Sequence, residues 1–251
     1  MSERAGEIPA VVRLAWSGRE RQPKGPKPGL TLDAIVAAAI AVADEDGLGA
    51  LSMARVAATL GASTMSLYRY IDSKDALVVL MVDAALGAPP PRDAGDSSVD
   101  WRAGLARWAA HARDAYLRHP WALRVPITAP PITPNNVAWL EDALRCLAAT
   151  KLTEQSKLSC VLLLSGFVRN TVLLTVDVRA GTRTSPPPSY GLALSQLIDP
   201  AQFPAVHRAI VSGSLDDDDE ELDSEFDFGL ARILDGIDVL VRSSRTSSRR
   251  R

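Results

Sequence analysis

Residues 51–77, LSMARVAATLGASTMSLYRYIDSKDAL, decide the fold of this chain. The segment holds two short helical patterns that meet at Gly61, and Ser73 and Lys74 begin a further helix after them. Ser52 and Ser73 are of the residue type that caps helix N-termini, and glycine suits the turn that ends a helix. Two helices joined by a tight turn form a helix-turn-helix, in which the second helix enters the major groove of DNA.

The second helix of this motif carries side chains that suit contacts with DNA. Short polar residues lie at its N-terminus, and large hydrogen-bonding residues follow one turn later. The residues of the motif that we expect to contact DNA are Ser52, Ser63, Thr64, Met65, Ser66, Tyr68, Arg69, Tyr70 and Lys74. Arg69 suits a guanine or a phosphate, Met65 suits a thymine methyl, and Lys74 suits a phosphate at a helix N-terminus. The alternative is a small helical bundle with half-buried tyrosines that binds no DNA.

The segment also resembles the tetracycline-repressor (TetR) family of bacterial regulators. The matching residues are Leu67, Tyr68, Tyr70, Lys74 and Leu77. This resemblance covers residues 31–86, and it implies that residues 63–70 enter the major groove and that Lys74 binds a phosphate. A weaker resemblance to the tetracycline-repressor-like C-terminal domain rests on residues 119–121, 165–168 and 226–230. It implies that the long helix and the last helix of two subunits pack as a four-helix bundle.

The composition favours an all-α fold, since hydrophobic residues make up 47% of the 251 residues, aromatic residues only 5%, and strand-like alternation is scarce. We predict an N-terminal three-helix DNA-binding bundle with a helix-turn-helix, linked by a fourth helix to a larger helical domain for ligand binding and dimerisation. The domain bounds that we predict are 1–29 for a flexible basic arm, 30–87 for the DNA-binding domain, 92–244 for the helical effector and dimerisation domain, and 245–251 for a disordered basic tail. The predicted helices cover about 32–46, 52–60, 63–71, 74–86, 100–118, 133–150, 153–180, 190–211 and 225–242.

Charge is distributed unevenly between the arm and the DNA-binding domain. Residues 30–87 hold three basic and seven acidic residues, a net charge of −4, which is unfavourable for a phosphate backbone. The end of the arm, over residues 19–29, carries Arg19, Arg21, Lys24 and Lys27 against one glutamate, a net charge of +3. Because an extended basic arm can lie in the minor groove, we expect Arg21, Lys24 and Lys27 to bind DNA and supply affinity. The alternative is a dispensable leader.

Residues 92–244 carry no catalytic, phosphate-loop or metal-binding motif, so we expect no enzyme activity, no metal and no cofactor. The acidic run over 216–223 fits a solvated loop better than a metal site. Aromatic and polar residues in this half are candidates for a ligand cavity. The proposed ligand-binding residues are Trp108, His111, Trp139, Phe167, Asn170, Thr171 and Leu174. The alternative for each tryptophan is a place in the core, and for His111 a structural role.

The segment 158–178 has the length of a membrane span, but Arg169, Asn170 and other polar residues interrupt it, and we expect a core helix instead. Two cysteines, Cys146 and Cys160, fit buried thiols in a reducing cytoplasm. The sequence therefore predicts a cytoplasmic homodimer, nucleoid-associated when bound, that represses transcription from a palindromic operator on double-stranded DNA. An unidentified small molecule is expected to release it. The alternatives are a regulator or architectural protein without an effector, and an enzyme with an added helix-turn-helix.

Overall fold

The structure is a computed structural model that describes residues 8–17, 30–91, 100–128, 130–184, 189–215 and 221–247. Within these ranges every regular element is helical. The α-helices are α1 Ala10–Ser17, α2 Leu32–Asp46, α3 Met53–Thr59, α4 Thr64–Tyr68, α5 Lys74–Leu86, α6 Trp101–Arg118, α7 Pro134–Cys146, α8 Glu154–Thr184, α9 Tyr190–Leu197, α10 Pro204–Val211 and α11 Glu221–Ser247. Two short 3₁₀ helices cover Leu48–Ala50 and Pro120–Arg124. The predicted all-α fold is confirmed.

Helices α2 to α5 form a unit, called here the N-terminal unit, around its own apolar core. Side chains from all four helices close this core, among them Ile35, Val56, Leu67 and Leu77. The hydroxyls of Thr31, Ser52, Ser63 and Ser73 each accept a hydrogen bond from the backbone N–H three residues on, which confirms the caps predicted at Ser52 and Ser73. These caps place α3, α4 and α5 at fixed points along the chain.

Helices α6 to α11 form the C-terminal unit, whose core lies between α6, α7, α8 and α11. The long helix α8 is the centre of this core, and Leu164 and Val168 are buried on it. Helix α11 approaches α8 closely at Gly229, where a Cβ atom would lie 2.6 Å from the ring of Phe167. A side chain at residue 229 would therefore require the outer end of the Phe167 ring to shift.

The structure corrects the prediction of a flexible arm over residues 1–29, because Ala10–Ser17 form α1. Val12 of α1 is buried, and the indole N–H of Trp16 donates to the carbonyl of Ile132, 2.9 Å away, in front of α7. Pro9 precedes the helix, and its carbonyl accepts from Val12 and Arg13. Proline is well tolerated where a helix begins.

Two further boundaries differ from the prediction. The weak helix expected over 190–211 is two helices, α9 and α10, with a second start at Pro204 in its first turn. Helix α11 is longer at both ends than expected, since it takes in Glu221 from the predicted acidic loop and Arg245 from the predicted tail.

Helix α8 is the one helix of the described residues that is long and apolar enough to cross a membrane, over 154–181. It packs against α6, α7 and α11 in the core of the C-terminal unit, as predicted for a core helix. Its outer face carries exposed apolar residues, and 33% of the apolar stretch is buried inside the chain. Both cysteines are buried thiols, and burial raises the pKa of the Cys160 thiol.

Candidate DNA-binding surface and effector domain

The turn between α3 and α4 has the geometry that the helix-turn-helix prediction requires. Gly61 has a φ of +61°, in the left-handed region that favours glycine. The N–H of Ala62 donates to the carbonyl of Ala57 at 2.9 Å, and the N–H of Gly61 donates to Ala58 at 3.1 Å. This pair of hydrogen bonds is the Schellman ending of a helix. It stops α3 and turns the chain directly into the cap of α4 at Ser63.

Helix α4 has one fully buried side chain and presents Met65 and Tyr68 to solvent. Leu67 is fully buried and holds the helix on the N-terminal unit, together with Ile71 just beyond it. Met65 is 74% exposed, and Tyr68 and Arg69 are also exposed on the outer surface. A short exposed helix anchored from behind by one leucine is suited to insertion in a groove.

Three hydroxyl groups predicted to contact DNA already have partners within the chain. The Ser63 hydroxyl accepts from the Ser66 N–H and lies 2.8 Å from the Ser66 hydroxyl. The Tyr70 hydroxyl donates to the carbonyl of Leu30 at 2.9 Å, so Tyr70 holds the start of α2 against the end of α4. These bonds fix the hydroxyls of Ser63, Ser66 and Tyr70 in place at α4 and the turn after it. Thr64, half-buried in the first turn of α4, lies between the two serines.

Lys74 is exposed at the first position of α5, directly after the cap residue Ser73. Ser52 caps α3 in the same way. Both helix N-termini carry the partial positive charge that attracts phosphate. Arg55 at the start of α3 is paired with Asp46, which partly neutralises it. The remaining predicted DNA contacts, Arg21, Lys24 and Lys27, lie outside the described residues.

Comparison with known proteins places this geometry in a family. Residues 35–81 match the family described as bacterial regulatory proteins, tetR family. Residues 94–241 match the tetracyclin repressor-like C-terminal domain, which is more than half of the chain. The chain belongs to the TetR family. It is a DNA-binding transcriptional regulator, and the predicted family and general function are confirmed.

Relatives across nearly the whole chain support the assignment to the TetR family. The chain is 36% identical to the HTH-type transcriptional repressor DrrR1 of Streptomyces coeruleorubidus, over 97% of this chain and 90% of that protein. It is 31% identical to an HTH-type transcriptional regulator of Saccharopolyspora erythraea, over 88% and 90% of the two chains. Among solved structures, the TetR family protein ActR of Streptomyces coelicolor in complex with actinorhodin has a TM-score of 0.69 at 25% identity, covering 86% of this chain and 99% of ActR.

In the C-terminal unit of this TetR-family chain, two of the predicted ligand residues belong to the core. Trp108 and Trp139 are both buried and pack edge to face, with ring centroids 5.7 Å apart. The Trp108 indole donates to the Trp139 carbonyl at 3.0 Å, and the Trp139 indole donates to the Gly87 carbonyl at 2.8 Å. Because each ring is packed and each N–H is satisfied, these tryptophans hold α5, α6 and α7 together. Both tryptophans therefore have the place in the core that was the alternative to ligand binding.

The other predicted ligand residues lie on α8, except His111, which lies on α6. Phe167 is half-buried against Phe226, with ring centroids 5.4 Å apart. The Thr171 hydroxyl donates to the Phe167 carbonyl one turn earlier, at 2.9 Å. Asn170 is exposed, and Leu174 is 57% exposed on the outer face of the helix. His111 is half-buried on α6.

A groove that the sequence analysis did not predict lies between α1 and the start of α7. Its volume is about 520 Å³, and its lining is almost entirely apolar, with Val12, Trp16, Ile132 and Val137 among the lining residues. The signal in the sequence was the cluster of apolar residues after Pro9, which we had assigned to the arm. The groove therefore lies between α1 and the C-terminal unit.

Proposed function

We propose that this TetR-family regulator is a homodimeric repressor that binds a palindromic operator and is released from it by a small molecule. The observation that carries the proposal is the exposed outer surface of α4, with Met65, Tyr68 and Arg69, next to Lys74 at the N-terminus of α5. In this arrangement α4 reads base edges, while Lys74 and the capped start of α3 at Ser52 bind phosphates. Thr64 adds a polar group at the N-terminal end of α4.

The basic arm is proposed to supply part of the affinity for DNA. Arg21, Lys24 and Lys27 precede an N-terminal unit whose own net charge is −4. Neutralisation of phosphates supplies much of the affinity of DNA-binding proteins, and such a unit lacks the charge to do so alone. The hydrogen bond from Tyr70 to Leu30 holds the chain that follows the arm beside α4. Replacement of Arg21, Lys24 and Lys27 with glutamine should therefore weaken operator binding and lower its salt dependence, and unchanged values would contradict this role.

Dimerisation is proposed to use the outer faces of α8 and α11. Large exposed apolar residues on these helices are Leu158, Leu162, Leu163, Leu174, Val178, Phe228, Val239 and Leu240. Homodimer interfaces bury large self-complementary apolar faces, commonly more than about 2,000 Å² in total. Leu162→Glu should therefore yield monomers in sedimentation experiments. Leu197→Glu is the matched control on α9, where the leucine is 81% exposed, and it should leave the dimer intact. A dimer that survives Leu162→Glu would contradict the proposed face.

The effector is proposed to bind in the C-terminal unit and to favour a state that does not fit the operator. DrrR1 is named as a repressor and ActR has been solved with actinorhodin, so actinorhodin is the first compound to test. The contact residues that we propose are His111, Phe167, Asn170, Thr171 and Leu174. The tryptophans Trp108 and Trp139 would act behind them by holding α6 and α7 in place. Asn170→Ala and Thr171→Ala should change the response to effector without changing operator affinity.

A cytoplasmic location follows from the proposed role, since a repressor acts on chromosomal DNA and would be nucleoid-associated when bound. The relatives are named as transcriptional regulators, which favours a non-enzymatic role. The alternative that remains open is a DNA-binding regulator without a small-molecule effector, such as a co-regulator or architectural protein.

The experiment that tests the proposal uses the full chain and the DNA that flanks its own gene. Fluorescent duplexes that tile this DNA are titrated with protein, and sedimentation gives the number of protomers bound. We expect one duplex to bind two protomers, and a compound that raises the melting temperature of the protein to release it. If every duplex binds no better than a random duplex, the repressor proposal is wrong. If a duplex binds but no compound in a metabolite panel raises Tm or releases DNA, the effector-free alternative replaces it.

A further inference from the structure

Two aspartates of the N-terminal unit bind donors from the C-terminal unit. The first is Asp44, near the end of α2. Its carboxylate accepts the indole N–H of Trp121 at 2.7 Å and lies 2.9 Å from Nδ1 of His119. Both partners lie at the junction of α6 and the 3₁₀ helix Pro120–Arg124. This contact ties α2 to the C-terminal unit.

The second aspartate, Asp83, lies near the end of α5 and is 8% exposed. Its carboxylate accepts the backbone N–H groups of Asn135 at 2.9 Å and Asn136 at 3.3 Å, in the first turn of α7. The Asn135 side chain donates in return to the Asp83 carbonyl at 2.8 Å. Thr133, at the cap position of α7, makes no side-chain cap of its own. Asp83 therefore caps α7 from another helix, which joins the last turn of α5 to the first turn of α7.

Apolar contacts stiffen the joint at Asp44 and hold α5, which carries Asp83, firmly on the N-terminal unit. Trp121 and Ala122 are buried in the core of the N-terminal unit, although they belong to the chain of the C-terminal unit. Leu77 and Met81 of α5 are fully buried in the same core, so α5 moves with the N-terminal unit. Asp44 and Asp83 lie on different helices of this unit. If the N-terminal unit were held to the C-terminal unit at one point, it could rotate about that point. A second point of contact removes most of that freedom.

We infer that Asp44 and Asp83 are specificity-determining residues for the spacing of operator half-sites. They act through the C-terminal unit, because the two joints fix the direction in which each N-terminal unit points away from the dimer body. The inference rests on the proposed function, since it requires a dimer on an inverted repeat. It also accounts for part of the acidic excess of the N-terminal unit: Asp44 and Asp83 bind the C-terminal unit, and Asp46 pairs with Arg55.

The physical basis is the geometry of the duplex. Adding one base pair between half-sites moves them apart by about 3.4 Å and rotates one against the other by about 34–36°. A dimer with stiff joints cannot place both α4 helices on the changed duplex without distortion. A dimer with one joint broken can pivot and bind both duplexes. Stiff joints therefore restrict binding to one spacing of the half-sites, whereas loose joints allow binding to more than one spacing.

The test measures affinity for duplexes that differ only in spacing. An inverted-repeat duplex is first recovered from a randomised library with the full-length wild-type protein, and one base pair is then added or removed at its centre. The variants are Asp44→Ala and Asp83→Ala. The control for charge is Glu45→Ala, which removes an exposed carboxylate next to Asp44. The conservative variant Asp83→Asn keeps an oxygen that can accept the α7 N–H groups.

We expect the wild type, Glu45→Ala and Asp83→Asn to discriminate against the changed spacing by at least about tenfold, and both aspartate-to-alanine variants by about threefold or less. Thermal unfolding is measured in parallel, because a purely stabilising role would lower Tm and leave the spacing preference unchanged. That result, or equal loss of preference in Glu45→Ala, would overturn the inference. Failure of the wild type to recover any inverted repeat would instead contradict the proposed function.

Discussion

Replacing Lys74 with glutamine removes one positive charge from each N-terminal unit and two from a dimer. Lys74 is exposed at the first position of α5, and its side chain is proposed to bind a phosphate. Each lost phosphate contact lowers the slope of log affinity against log salt by about 0.9, so the dimer should lose about 1.8. Between about 50 and 200 mM salt, the ratio of wild-type to variant affinity should then fall by about twelvefold.

Fluorescence anisotropy with one operator duplex at four or five salt concentrations measures this slope. Arg208→Gln is the matched control, since Arg208 is exposed on α10 in the C-terminal unit and far along the chain from the helix-turn-helix. It should leave the slope unchanged. If the wild type and Lys74→Gln give parallel lines, Lys74 does not bind a phosphate, and the orientation proposed for the helix-turn-helix on DNA is wrong. A slope change of the same size in Arg208→Gln would show a non-specific charge effect.

Three further predictions concern the C-terminal unit. Gly229→Ala places a methyl group 2.6 Å from the Phe167 ring, and overpacking of about 1–3 kcal/mol should exceed the gain in helix propensity of about 1 kcal/mol. Tm should fall, and Phe167→Leu should restore it; an unchanged Tm would contradict this packing. Burial raises the pKa of Cys160, so its thiol should react with a disulfide reagent at pH 8 far more slowly in the native than in the urea-unfolded protein, and equal rates would show that it is accessible. Hydrogen bonds from Arg232 and, as the smaller cause, from Arg102 lower the pKa of Asp235. The ionised Asp235 therefore stabilises the folded protein above the unfolded pKa of about 3.9, and this stabilisation is lost as pH falls through the folded pKa. Below about pH 4, the Tm of Asp235→Asn should therefore depend less on pH than the Tm of the wild type. Identical profiles of Tm against pH would refute this prediction.

Local signals explain why much of the N-terminal unit was predictable from sequence. Thr31, Ser52, Ser63 and Ser73 cap helices through N–H groups three residues away, and Gly61 turns the chain within the same few residues. Such contacts are visible in a short stretch of sequence. The bounds of α2 and α5 were therefore predicted closely. The residues that α4 exposes are among those predicted to contact DNA.

Long-range contacts explain what the sequence did not reveal. The partners of Asp83 and Asp44 lie 52 to 77 residues away in the chain. From the sequence, both aspartates could therefore be recognised only as part of the negative net charge of residues 30–87. The same holds for Trp139, whose indole binds the carbonyl of Gly87, 52 residues away. A tryptophan in an Ala- and Leu-rich helix fits a core and a ligand cavity equally well until its neighbours are known. Helix α1 was missed for a related reason, since its anchor at Ile132 is 116 residues from Trp16.

The measurement that tests the central claim most directly is selection of duplexes from a randomised library by the wild-type protein, followed by sequencing. The account predicts an inverted repeat whose half-site centres lie about one helical turn, or a multiple of it, apart, because two α4 helices of one dimer read successive major grooves. A single unrepeated motif would contradict the proposed dimer on DNA. The absence of any enriched sequence would contradict base recognition by α4.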